Sequence, residues 1–293
     1  MKTILVLTDA SNTGSCTAEA CVMLGSKLHA NLLLFSTYVL IPVTAYYAGA
    51  PWIDEGVSMW ETDTKAKLKL LSFRLQSLTS KLGLEDYKPT IHMQIAEGEL
   101  GSNVANYIQK KKIEMVVMGA KSGTPLEHIL LGSDTRAVIN QSHRPVLIIP
   151  KKTILDKIEK VTFASNFDPN EIEAIEYLVT LGNIFNFHLD IIHVQQFGEQ
   201  TKPKLQIMAF AKLMSGLHYK NLSYKTIRGK NVVQRLDRYC KENKSDVLAF
   251  MHHQNNFFGR LLQKSTTKAA LSGQQIPLLV LPSRLFYYQS KKS

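Results

Sequence analysis

The chain of 293 residues contains no run of eighteen apolar residues, which excludes a membrane-spanning helix by length. It is poor in cysteine. Cys16, Cys21 and Cys240 make an odd count without Cys-x-x-Cys spacing, which argues for a reduced, cytoplasmic protein. Buried structural thiols are the expectation for them. The opening residues, M-K-T-I-L-V-L-T-D, lack the cleavage region of a signal peptide and read as a strand. Acidic residues run short in one half only. Residues 1–150 hold 14 Lys+Arg against 13 Asp+Glu, whereas residues 151–293 hold 21 against 11, a net charge of +10. A basic half attracts nucleic acid, acidic proteins or anionic lipid. Apart from Lys110-Lys111-Lys112 and Lys291-Lys292 the lysines are scattered, which favours a solvated surface over a nucleic-acid footprint.

What is present is 45% hydrophobic, ample for two cores, and organised around residues 113–150. Met115 to Met118 is an apolar run too short for a helix and reads as a buried parallel strand ending at Gly119. A loop with Ser122, Gly123, Pro125 and Gly132 follows, and Ser133 and Asp134 are both good N-caps for a helix. His143-Arg144-Pro145 stops that helix, and Val146 to Ile149 is another strand. Strand, glycine loop and helix in that order aim backbone N–H groups and a helix N-terminus at one point, an arrangement suited to phosphate. The loop is neither a P-loop, which needs Gly-Lys-Ser/Thr, nor the dinucleotide G-x-G-x-x-G.

This segment resembles the nucleotide loop of the universal stress protein family. Its pattern is Gly, two residues, Gly, nine residues, Gly, then Ser or Thr. Gly119 takes the first position and Gly132-Ser133 the last pair; Ser122 stands at the middle glycine, with Gly123 one place later. The resemblance implies an α/β fold, a doubly wound parallel sheet that is Rossmann-like and adenine nucleotide alpha hydrolase-like. It implies ATP, with Mg2+ as an open addition. Asp9 and Thr37 would lie by adenine and ribose, Gly98 before the next helix, and Gly119, Ser122, Gly123, Gly132, Ser133 and Asp134 around the phosphates.

Self-comparison shows two copies of one plan. Thr3 to Asp9 matches Lys160 to Asn166 at an offset of 157, Gly98 matches Gly229 at 131, and Pro150 matches Pro282 at 132. The expected domains are therefore residues 1–150 and 151–293, and the resemblance covers both. The first copy carries about 25 extra residues between its second and third strands, in the aromatic-rich connection Val39 to Trp60, read as a lid or a packing arm. Helices are expected at Ser15 to Leu28, Thr62 to Gly83 and Ser102 to Lys112, with strands between them. The second copy has Met251, Gln254 and Lys264 in place of Gly119, Ser122 and Gly132, and Asn166 in place of Asp9, so it is not expected to bind a nucleotide in the family manner.

Other constellations weigh less. His252-His253 are strand neighbours pointing to opposite faces, a poor start for a metal site. His128, Ser133 and Asp134 have triad residue types without a nucleophile elbow. Phe257-Phe258-Gly259-Arg260 reads as a packed helix end rather than a base-stacking platform. The functional expectation is a cytoplasmic regulatory module holding ATP in the first copy. The open alternatives are a nucleotide-free scaffold for an acidic protein partner, a slow ATPase, and, least favoured, a nucleic-acid binder. The last strands of the copies, Val146 to Ile149 and Leu278 to Leu281, are expected to pair as a pseudo-dimer within the chain; homodimerisation stays open.

Overall fold

The computed structural model describes residues 1–9, 11–38, 52–120, 133–150, 153, 155, 157–198, 204–252 and 276–283. In the first half the described residues form β1 (Lys2–Leu7), β2 (Ala30–Tyr38), β3 (Ile91–Glu97), β4 (Ile113–Ala120) and β5 (Val146–Pro150). In the second they form β6 (Lys160–Ala164), β7 (His188–Gln196), β8 (Leu222–Gly229), β9 (Val247–His252) and β10 (Leu278–Pro282). These ten strands make one sheet in the order β3-β2-β1-β4-β5-β10-β9-β6-β7-β8. Pairing within each half is parallel, as expected for strands separated by helices.

The halves meet through β5 and β10, which pair antiparallel with Leu279 opposite Leu147, Leu278 opposite Ile148 and Val280 opposite Val146. This is the edge pairing the sequence reading expects. Leu147 and Leu279 stand 132 residues apart, the offset of the copies, so this pair lies on a pseudo-twofold axis. An apolar edge that would otherwise invite another chain is thereby consumed internally.

Strand alternation builds two cores. Ile4 and Val6 face one layer with α1 (Asn12–Leu28), α2 (Trp52–Ser80), α5 (Ile172–Phe185) and α6 (Lys204–Ser215). Leu5 and Leu7 face the other, with α3 (Leu100–Lys110), α4 (Ser133–Gln141) and α7 (Val232–Glu242). Each core runs through both halves. Burying such side chains contributes roughly 1.5–3 kcal/mol each. The repeat persists in local detail. Ser11 and Asp168 cap their helical segments 157 residues apart, and His29 and Asn186, at the same spacing, end α1 and α5 in the left-handed conformation.

Three expectations are corrected. Helix α2 starts at Trp52, ten residues before the expected Thr62. Pro51 stands just before it, where a helix can begin, and Gly56 costs only about 1 kcal/mol inside so long a helix. Residues 39–51 lie outside the described residues, so the lid or arm reading is not addressed. Strand β4 does not end at Gly119 but runs to Ala120, with Gly119 opposite Ile149. Cys16 is exposed, whereas Cys21 and Cys240 are buried. Burial pushes the Cys21 thiol far above its usual range and that of Cys240 up to about 11. A thiol-reactive dye at pH 8 is therefore expected to label one cysteine rapidly in the native protein and three in denaturant. Rapid labelling of all three in the native state would contradict the burial.

Among the described residues no helix is long and apolar enough to cross a membrane.

Candidate functional site

Parallel pairing places the C-terminal ends of β1 to β4 on one edge of the first half. The order β3-β2-β1-β4 puts the switch in winding direction between β1 and β4, where Leu7 lies beside Met118. A crevice at such a point is the usual ligand position of a doubly wound sheet.

Beyond β1, the buried Thr8 donates its N–H to Phe35 O (3.0 Å), continuing the ladder for one residue. Asp9 is exposed, and its Oδ1 accepts the Ser11 N–H (3.0 Å). Ser11 in turn caps α1, its Oγ accepting from Gly14 N (3.3 Å). Gly14 is where glycine is needed: a Cβ there would stand 2.3 Å from Thr8 Oγ1 and 2.9 Å from Asp9 Oδ1. Absence of a side chain thus lets the helix start sit against the strand end.

Thr37, half-buried at the end of β2, faces Ala96 across the ladder. Next, Gly98 has φ +103° and donates its N–H to Tyr38 O (2.8 Å), tying the exit of β3 to the end of β2. The Asn103 amide fixes this turn by donating to Glu97 O (2.9 Å) and Glu99 O (3.0 Å). Helix α4 opens at Ser133, whose Oγ is 3.5 Å from Asp134 Oδ1, and Asp134 sits in the first turn. It packs on α3 where Gly101 approaches Ala137, too closely for a Cβ at Gly101.

Of the residues singled out in sequence, Asp9, Thr37, Gly98 and Gly119 lie at this edge. Ser133 and Asp134 begin the helix that joins β4 to β5. Asp9 and Gly119 flank the switch point; Gly98 is two strands away from β1. Ser122, Gly123 and Gly132 lie outside the described residues, as do Gln254, Lys264, His253, His128 and Phe257 to Arg260. His252 is buried at the end of β9 and contacts Asn140 Oδ1 of α4 (3.0 Å), a polar link across the two halves.

The second half departs from the first in a way that residue matching at the glycine loop did not find. Glu171, 2% exposed, accepts from Ser165 Oγ (2.5 Å) and Asn166 N (2.9 and 3.2 Å). Burial pushes its carboxyl up to about 7, against the opposing pull of those hydrogen bonds. The signal was available: the offset of 157 that pairs Asp9 with Asn166 also pairs Gly14 with Glu171.

Comparison with known proteins agrees with this architecture. The sequence profile of the universal stress protein family matches residues 1–150. A universal stress protein of Methanocaldococcus jannaschii is 26% identical over 152 residues, which span 51% of this chain and 82% of the relative. Among solved structures, a universal stress protein from Archaeoglobus fulgidus superposes with a TM-score of 0.71 at 14% identity, over 96% of this chain and 98% of that one. A putative universal stress protein from Pseudomonas aeruginosa does so with a TM-score of 0.57 at 13% identity, over 96% and 92%. At such identity these structures establish the fold alone, whereas the profile match covers half of the sequence. The chain belongs to the universal stress protein family.

Proposed function

We propose that this is a two-domain regulatory module, residues 1–150 and 151–293, whose first domain holds an adenine nucleotide, ATP, at the switch point. The observation that carries this is the placement of Asp9 and Gly119 at the adjacent C-terminal ends of β1 and β4, with helix α4 joining β4 to β5. The donor set suits a polyphosphate. The start of α4 offers backbone N–H groups without intrahelical partners, and a helix N-terminus carries about half a positive charge. Backbone N–H groups at Gly119, Ser122, Gly132 and Ser133 would take the phosphates, while Asp9 and Thr37 would lie by ribose and adenine. Asp134, in the first turn of that helix, supplies a carboxylate to which a Mg2+ ion would be drawn. ATP is read here as a bound effector rather than as a substrate turned over rapidly.

The test is Gly132→Lys, which copies Lys264 of the second half. A side chain ahead of the helix start hinders phosphate approach, and losing one charge-assisted hydrogen bond costs about 1.4 kcal/mol or more. Calorimetry is expected to show ATP binding weakened about tenfold or more, with the fold retained. Unchanged affinity would move the phosphate site elsewhere. A wild type that neither co-purifies with nor binds ATP would leave the scaffold reading instead.

A further inference from the structure

The two halves carry a carboxylate at the same place in the fold but on different residues. In the first half it belongs to Asp9, at the strand end, exposed to solvent and accepting the Ser11 N–H among the described residues. The first turn of α1 contributes Gly14, with no side chain. In the second half the strand-end residue is the neutral Asn166, and the carboxylate comes from Glu171, the counterpart of Gly14. It points inward and is enclosed.

Its surroundings are a closed set. The Ser165 hydroxyl that donates to Glu171 (2.5 Å) also accepts from Phe167 N (3.0 Å). Phe167 is held at φ +57°, an unfavourable conformation for a bulky residue that requires compensating contacts. Its ring, 2% exposed, packs against His193 (centroids 4.7 Å apart) and Phe210 (5.1 Å). His193 Nδ1 lies 3.0 Å from Ser165 O. The backbone N–H of Asn166 is consumed by Glu171 (2.9 Å) and is not offered to a ligand. Asp168, in the same turn, adds a carboxylate, so an incoming anion meets repulsion as well as occupied donors.

We propose that Glu171 is an internal ligand that closes the site of the second half, and that Gly14, at the equivalent position, leaves the first site open to an external one. The unequal halves are then decided at the first turn of a helix as well as in the glycine loop. This rests on the nucleotide reading of the first half.

The test transplants the plug. Gly14→Glu, combined with Thr8→Ser to reproduce the Ser165 hydroxyl, is titrated with ATP by calorimetry beside the wild type. One ATP per wild-type chain and a loss of tenfold or more in the double variant are expected, with cooperative unfolding retained at a lower thermal midpoint, because a Cβ at Gly14 crowds residue 8 and Asp9. Two ATP per wild-type chain, or a double variant that binds as the wild type does, overturns the proposal while the nucleotide reading stands. No ATP on the wild type overturns both. Should the double variant fail to fold, carbon-13 NMR of the wild-type Glu carboxyls decides. Glu171, with Asp168 as the described titratable group that acts on it, is expected to titrate near 7. A midpoint in the ordinary carboxylate range would place it in solvent and remove the plug.

Discussion

Replacing Asp190 by alanine is expected to destabilise the protein by about 3–5 kcal/mol, the usual cost of breaking a buried ion pair. The Asp190 side chain is 2% exposed and holds four partners from four elements. Its Oδ1 accepts from Ser223 Oγ on β8 (2.5 Å) and meets His188 Nε2 on β7 (3.1 Å). Its Oδ2 accepts from Tyr239 OH on α7 (3.0 Å) and Lys160 Nζ on β6 (3.1 Å). Burial alone would raise its pKa, but the bonds from Ser223, Lys160 and Tyr239 outweigh it and hold the carboxyl below the ordinary range. Alanine removes the acceptor of two hydroxyls and of the Lys160 ammonium, whose side chain is 26% exposed. Asp190→Asn keeps an acceptor for Ser223 and should cost less. Urea unfolding checks both, and a loss under about 1 kcal/mol in Asp190→Ala would show the cluster to be solvated.

The second large effect is a pH dependence. The Glu171 carboxyl lies at about 7 in the fold, against an ordinary 4.5. A carboxyl raised in the folded state is better tolerated there when neutral. Its favourable contribution is therefore complete below pH 4.5 and lost as pH rises through 7. The difference of about 2.5 units corresponds to about 3 kcal/mol. Glu171→Gln stays neutral at every pH and can still accept from Asn166 N while its amide donates to Ser165 Oγ. Unfolding free energies between pH 4.5 and 8 are expected to show the wild type losing about 3 kcal/mol relative to this variant. Parallel curves would mean that Glu171 is ionised throughout at no cost. Asp190 does not contribute in this window, because its lowered pKa acts only on the acid side.

Much of this protein is legible without coordinates. Alternating Ile4, Leu5, Val6 and Leu7, and short apolar runs separated by helical stripes, dictate buried parallel strands, because strands covered on both faces need apolar residues throughout. The repeat offset of 132 already contained the symmetric pairing of Leu147 with Leu279, since identical edges can satisfy each other only about a twofold axis. Composition did not reveal the start of α2, because aromatic residues and Gly56 resemble a loop until packing selects helix. The positions of Asp9, Thr37, Gly98 and Gly119 near the C-terminal ends of strands were legible because the apolar runs of β1 to β4 end there. Gly14, Glu171 and Asp190 were another matter. A glycine in a first turn, a glutamate in a helix start and an aspartate in a strand are ordinary in sequence. Only the fold decides that Thr8 lies against the first, Ser165 and Asn166 enclose the second, and four elements converge on the third. Burial is set by elements distant in the chain even where, as for Glu171 and Ser165, the bonded partners are near in sequence, and desolvation then sets the ionisation that the residue type alone leaves open.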